Sequence, residues 1–389
     1  MVAIKRVVVG ISGGVDSAVS ALFLKAKGYD VIGAFMRNWD LNDEIGLCSS
    51  SEDEQDSEML CDHLKIKFHC INFVKEYWND VFSYLLNDYI AGYTPNPDIM
   101  CNRKIKFDAF YNYARHELGA DAIATGHYAR TTYGDFLQDY KKSLGVRLLR
   151  AVDTFKDQTF FLSQVKQEPL QRTMFPLGNI CKSEVKRIAM DAGLNTFAKK
   201  KESTGICFIG TRNFQNFISE YVEERKGNFI DVESGCVIGE HNGVHNWTLG
   251  QRCRIAGVKE RYYTVKKDSS SQTIYVASGK DHPALFTQSF TASEVHWIHS
   301  VPKDLTEYGI LLCQFRFQHT KPLLNCCVVA LSESTIFVKL ELPLKAVTPG
   351  QYAVFYKEQE CLGSSRILYV GPSLFSLNEK VNKEGLLYS

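Results

Sequence analysis

The chain opens on an apolar run, Val7-Val8-Val9-Gly10-Ile11, dense in β-branched residues, which predicts a buried strand. Small residues follow at Ser12-Gly13-Gly14, and from Ala18 to Lys27 the apolar positions take up helical spacing. The alternation then repeats. Tyr29–Phe35 predicts a second strand, 52–64 a helix, Ile66–Phe73 a strand, Lys75–Ile90 an aromatic-rich helix, 103–118 another helix and Asp121–Thr125 a strand. Strands alternating with helices of this length predict an α/β fold, a doubly wound and mostly parallel sheet. Ligands on such sheets bind at the carboxyl ends of the strands, where Ser12, Met36 and Gly126-His127 all fall. The pattern is less regular from about 131 to 180, and a helix is predicted over 182–192. Beyond 215 its character changes. A short helical stretch at 213–224 gives way to glycine turns and short strands through 280. From 285 to 370, runs such as Cys326-Cys327-Val328-Val329-Ala330 alternate with turn signals and predict a small β-barrel. The expected division is therefore 1–214, a central adaptor at 215–282, a barrel at 283–373 and a polar tail at 374–389.

Composition narrows this picture only slightly. The 389 residues are 45% hydrophobic and 23% charged, which suits a folded chain of two or three domains. No apolar run approaches the roughly 20 residues that span a membrane. The glycine turn lies so near the N-terminus that no signal or transit peptide is predicted before it. With a formal net charge of +1, any nucleic-acid binding must rest on local basic groups, of which Lys199-Lys200-Lys201, Lys141-Lys142 and Arg103 to Lys106 are the candidates.

The turn between the first strand and helix carries the first chemistry. Glycines let a ligand approach the backbone, and the N–H groups at a helix start face an anion. No Gly-Lys-Ser/Thr follows, so this is not a Walker loop. Ser12-Gly13-Gly14-Val15-Asp16-Ser17 instead resembles the PP-loop of enzymes that split ATP into AMP and pyrophosphate.

The twelve cysteines include no Cys-x-x-Cys pair, which argues against a zinc knuckle or an iron–sulfur ligand pair. Two of them stand in informative places. Cys101 follows the proline-rich loop Thr94-Pro95-Asn96-Pro97-Asp98 and is expected near the N-terminus of the 103–118 helix. Arg103, Lys104 and Lys106 stand beside it, an environment that favours a thiolate. Asp98, three residues earlier, is a candidate local acid or base. Cys207 sits alone in Gly205-Ile206-Cys207-Phe208-Ile209-Gly210. An adenylating loop and two such cysteines are the parts needed for ATP-driven sulfur transfer.

These stretches together resemble the tRNA-specific 2-thiouridylases, the family that places sulfur on the wobble uridine. The match runs through Phe35 to Trp39, Thr94 to Phe107, Ala124 to Tyr128, Lys156-Asp157-Gln158, Ser203 to Gly210, Thr248 to Arg252 and Val347 to Tyr356, covering about 4–370. The resemblance implies that ATP binds at Gly10, Ile11, Ser12, Gly13, Gly14, Val15, Asp16 and Ser17, with Met36 and Gly126 on the nucleotide and Mg2+ alongside. It implies adenylation of uracil O2, a persulfide on Cys207, and Cys101 as the second catalytic thiol with Asp98 in proton transfer. By the same matching Asn96, Pro97, Asp98, His127, Lys156, Asp157, Gln158, Arg316, Phe317 and Gln351 touch the tRNA anticodon stem-loop. A persulfide donor, such as a cysteine desulfurase or sulfur carrier, is the implied protein partner of a monomeric enzyme. Phe317 stands where bacterial members carry Tyr. With the cysteine richness, this points to the mitochondrial branch, bacterial-type cytoplasm being the alternative. An ATP-dependent amide-forming ligase and an RNA-binding protein without turnover are the competing classes.

Overall fold

The apolar run at the start of the chain becomes strand β1 (Arg6–Ile11), whose Val7, Val8 and Val9 are each 0% exposed. A strand covered on both faces occupies the middle of a parallel sheet, and β1 does. It pairs in parallel with β2 (Asp30–Arg37) on one side and β4 (Ala122–Ala124) on the other. β3 (Lys67–Asn72) and the short strand Thr173–Met174 form the two edges of this five-stranded sheet. The computed structural model describes residues 4–39, 49–200 and 214–377, with the side chains of 49–51 left aside. Most of the tail therefore lies outside the described residues.

Helix α1 (Val15–Ala26) packs Val19, Ala21 and Leu24 onto the sheet, and α2 (Ser49–Leu64) crosses between β2 and β3. Two predicted helices differ from expectation. The 75–90 stretch is helical but widens into a π-type turn at Trp78–Phe82. The helix expected over 103–118 begins six residues earlier, at Pro97, and widens over Asn102–Ala109 before running on as Phe110–His116. The cause is local: Asn96 caps the helix by accepting a hydrogen bond from Ile99 N, and Pro97 takes the first position, where its fixed φ fits and no N–H is missed.

Residues 215–377 are all-β apart from short helices. A five-stranded sheet, from Gly227–Asp231 to Thr273–Ser278, closes over Phe229, Ile274 and Val276. Six strands from Phe286–Trp297 to Glu360–Val370 then form the expected barrel, closed by antiparallel pairing of the first with the last.

The irregular 131–180 stretch has a specific use. Its short strands Arg130–Thr131 and Leu148–Leu149 pair with each other and continue onto barrel strand Glu360–Val370. Asp157 from the same stretch, 0% exposed, meets Arg316 of the barrel, whose Nη2 donates to Asp157 Oδ2 at 2.8 Å. A second buried pair, Asp88 with Arg366, joins the helix Ser83–Ile90 to the barrel. The barrel is thereby fastened to the α/β unit by strand pairing and by ion pairs, these two among them.

Candidate active site

The glycine turn is closed by its own side chains. Ser12 N donates to Ser17 Oγ at 3.2 Å, and that hydroxyl donates to Gly14 O at 3.0 Å. Gly14 is the extended N-cap of α1 and brings no capping side chain, so the first N–H groups of a twelve-residue helix point out of the loop. Gly13 has φ +67°, and a Cβ there would lie 2.9 Å from the Asp53 carbonyl oxygen. The end of β4 approaches equally closely: a Cβ on Gly126 would meet Ser17 N at 2.8 Å. A Cβ on Gly10 would come within 3.2 Å of Met36 Cε. The residues expected on the nucleotide, Gly10 to Ser17, Met36 and Gly126, thus converge at the carboxyl ends of β1, β2 and β4.

One functional group here escaped sequence reasoning. Lys182, at the first position of the helix Lys182–Asp191, puts its Nζ 2.7 Å from Asp16 Oδ1 and 2.6 Å from Oδ2. Tyr128 OH donates to the same carboxylate at 2.8 Å. A PP-loop lacks the lysine of the Walker motif, and here a cation 166 residues away in sequence stands at the loop instead. Its sequence signal was the start of a predicted helix, which says nothing about where that helix points. By contrast, Lys200 of the basic run is held by Asp53 and Asp56 of α2, and Arg37 by Glu54. Lys201 lies outside the described residues, while Lys199, Lys141 and Lys142 are exposed.

The second part of the site is the helix that starts at Pro97. Cys101 is its fifth residue, 5% exposed, rather than sitting at the mouth of a helix beginning at 103. The Asn96 cap and Pro97 move the helix start one turn ahead of the thiol. Asp98 and Cys101 are three apart, so they share one helix face. The Asp98 side chain keeps open surface but is flanked closely by protein. This desolvation raises its pKa, with Lys106 acting in the opposite direction. Phe110, further along the same helical stretch, lies against Gly10, so one element touches both the nucleotide loop and the thiol. Cys207 lies outside the described residues.

The residues expected to touch tRNA divide sharply. Asp98 is accessible, Asn96, Lys156, Gln158 and Gln351 are half-buried, and Pro97 is buried. Gln158 Oε1 accepts from Tyr128 N at 2.9 Å, and Gln351 holds the loop before Cys101. His127 is buried between Phe107 and Phe175, with Nδ1 2.8 Å from Thr125 Oγ1. Burial, helped by nearby Lys106, depresses its pKa well below the usual range, so the ring is neutral. Asp157 (0%), Arg316 (6%) and Phe317 (4%) are almost wholly covered in this arrangement. Arg316 also donates to His319 O and to Tyr356 OH, and Phe317 belongs to the barrel core. The burial has a plain cause. A guanidinium and a carboxylate taken out of water bind each other, and the partner of Arg316 is another residue of the expected tRNA set.

A glycine loop at the switch point of a parallel sheet, joined through Phe110 to the helical stretch that carries Cys101 and followed by two β domains, defines a multidomain protein of the α/β class with a PP-type loop. Comparison with known proteins then narrows the class. Residues 5–211 match the "tRNA methyl transferase HUP domain", 215–278 the "tRNA methyl transferase PRC-barrel domain" and 287–367 the "Aminomethyltransferase beta-barrel domain". The chain is 52% identical over 370 residues to the mitochondrial tRNA-specific 2-thiouridylase 1 of Drosophila melanogaster, covering 95% of each. It is 47% identical to that of Homo sapiens, covering 99% of this chain and 96% of the relative. A tRNA-specific 2-thiouridylase of Alkaliphilus oremlandii is 46% identical, covering 93% and 96%. The chain belongs to the tRNA-specific 2-thiouridylase family. It is a sulfurtransferase of the mitochondrial type, in a family whose chemistry is thiolation of uridine in tRNA.

Proposed function

We propose that the chain thiolates C2 of the wobble uridine of tRNA, position 34, in an ATP-dependent reaction. The observation that carries this reading is the near full-length identity to relatives named tRNA-specific 2-thiouridylases, in a chain whose glycine loop meets the helical stretch that carries Cys101. A uracil carbonyl is a poor electrophile until its oxygen becomes a phosphate ester, so activation precedes sulfur attack. Uracil O2 attacks the α-phosphorus of ATP bound at Gly10 to Ser17, and pyrophosphate departs. The N–H groups at the start of α1 and the Lys182 ammonium stabilise the charge on that leaving group. Mg2+ bound with ATP would take phosphate oxygens and one carboxylate, and Asp16, whose oxygens Lys182 and Tyr128 hold, would have to share one of them. Among the described residues no cluster of three metal-ligating side chains exists.

Sulfur arrives as a persulfide on Cys207, delivered by an upstream donor protein. In one order its outer sulfur attacks C2, AMP leaves with the former O2, and the Cys101 thiolate attacks the inner sulfur to release the 2-thio group. In the other, Cys101 attacks first and frees hydrosulfide, which then displaces AMP. Both orders leave a Cys101–Cys207 disulfide, which a thiol reductant returns to two thiols by two-electron reduction. Asp98, on the same helix face as Cys101, moves the proton at the base or thiol. The target base must be unstacked, which is easiest in the single-stranded anticodon loop.

The test replaces Cys101 and Cys207 separately by Ser and measures 2-thiouridine in substrate tRNA by nucleoside mass spectrometry. Both variants are expected to lose thiolation while releasing pyrophosphate in the presence of ATP and tRNA. Full thiolation by both variants refutes the sulfur-transfer mechanism.

A further inference from the structure

Strand Tyr352–Lys357 is buried on both faces. Ala353 and Phe355 point into the barrel core, whereas Tyr352, Val354 and Tyr356 pack into the core of the α/β unit. The turn just before it, Thr348–Gln351, meets the loop that starts the Cys101 helix. Gln351 Nε2 donates to Thr94 O at 2.8 Å and to Pro95 O at 3.1 Å, and its Oε1 accepts from Asn96 Nδ2 at 3.4 Å. Thr94 N donates to Pro349 O at 3.0 Å. Gly350 has φ +92°, and a Cβ there would lie 2.8 Å from Thr94 N and 2.9 Å from Thr94 O. The turn itself is fixed to the barrel, since Gly350 N donates to Ile367 O at 2.9 Å and Ile367 N to Gln351 O at 2.8 Å. Deeper in, Tyr352 OH donates to Met100 Sδ at 3.5 Å, one residue from Cys101.

A loop holding Pro95 and Pro97 lacks two N–H donors and cannot fix itself by backbone pairing. Its carbonyls take their donors from the barrel, and the residue that caps the helix, Asn96, is held by the same Gln351 amide. We propose that Gln351, seated on Gly350, is a positioning residue for the thiol chemistry: through Thr94, Pro95 and Asn96 it sets where the helix carrying Asp98 and Cys101 begins. This rests on the sulfur-transfer reading above. The barrel is then a working part of the catalytic loop, and its placement on tRNA is transmitted to Cys101 through this turn, with the Gln351 amide at its centre. A direct RNA contact of Gln351, as the family resemblance implies, makes a different prediction. It would alter affinity for tRNA and leave the tRNA-free site unchanged.

The experiment uses the full-length enzyme with two variants. Gln351→Glu keeps the side chain's size but sets an acceptor against two carbonyls. Gly350→Ala leaves Gln351 in place and pushes Thr94 away. For each, the steady-state kcat and tRNA KM for thiolation are measured, with ATP affinity reporting the integrity of the α/β unit. The rate of Cys101 alkylation by iodoacetamide is measured without tRNA. Positioning predicts at least a tenfold fall in kcat in both variants, a tRNA KM within threefold of wild type and unchanged ATP affinity. It also predicts a Cys101 alkylation rate changed by at least threefold. A raised KM with kcat and alkylation unchanged, or a fully active Gly350→Ala, overturns the proposal. If Gln351→Glu does not fold, Gln351→Met keeps the length without adding charge, and wild-type kcat in that variant overturns it equally. Cys101→Ser, run in parallel, separates the two readings. Retained thiolation there refutes the sulfur-transfer chemistry, whereas its loss beside fully active Gln351 variants refutes only the positioning role.

Discussion

Arg316→Met distinguishes an interdomain strut from an RNA contact. Methionine keeps the aliphatic volume of the side chain and removes the guanidinium. In the wild type that group donates to Asp157 Oδ2 at 2.8 Å, to Tyr356 OH at 3.2 Å and to His319 O at 3.0 Å. Asp157 is 0% exposed and would be left as a buried anion, still accepting from Thr159 Oγ1 and Ala151 N. Removing one partner of a buried pair costs roughly 3–5 kcal/mol. Arg150 Nε remains 3.6 Å from the same carboxylate, which places this case at the lower end. A loss of about 3 kcal/mol corresponds to roughly 150-fold in the folding equilibrium. Urea unfolding should show it as a clear fall in midpoint. tRNA binding measured over a series of salt concentrations should keep its slope, because a lost phosphate contact would reduce that slope by about 0.7–0.9. Pairing the change with Asp157→Leu should recover much of the stability, since no buried charge is then left alone. Stability within about 0.5 kcal/mol of wild type, together with a slope reduced by nearly one, would refute the strut and restore Arg316 as an RNA contact.

Lys182→Met should lower tRNA-dependent pyrophosphate release by about 10²-fold, the usual effect of losing one preorganised group at a developing charge. A change under threefold would remove Lys182 from the nucleotide site. Gly126→Ala should weaken ATP binding by at least tenfold, because its methyl meets the loop backbone at Ser17; unchanged ATP titration counts against the placement of the loop. For pH, Asp88 gives a defined window: burial raises its carboxyl to about 6, although Arg366 pulls the other way. A carboxyl raised on folding contributes stability that is full below its ordinary value near 3.8 and is lost as pH climbs through 6. Wild type should therefore lose stability relative to Asp88→Asn between about pH 4 and pH 7, and a difference flat across that window contradicts the shift.

The parallel sheet and the nucleotide loop were legible because both are written in short stretches. A β-branched run leading into a glycine turn can be buried on two faces whatever else the chain does, and a Gly-Gly turn before a helix offers N–H groups regardless of context. Residues 131–180 were not legible, because two-residue strands such as Leu148–Leu149 exist only through their pairing with the barrel. The Cys101 helix lay between these extremes. Its Asn96 cap and Pro97 start were present as residues, yet the two prolines suggested an extended loop running on to 103.

The sequence by itself therefore determined the fold class and the glycine loop, and it singles out Cys101, Asp98 and Cys207 as the candidates for the chemistry. Backbone preference and local capping act over a few positions and need no distant partner. Tertiary structure alone decided that Lys182 faces Asp16, that Asp157 and Arg316 face each other, and that Gln351 grips the loop before Cys101. Each of these joins residues more than 150 positions apart. A charged or amide side chain is written identically in the sequence whether it faces solvent, substrate or another residue, and only packing settles which.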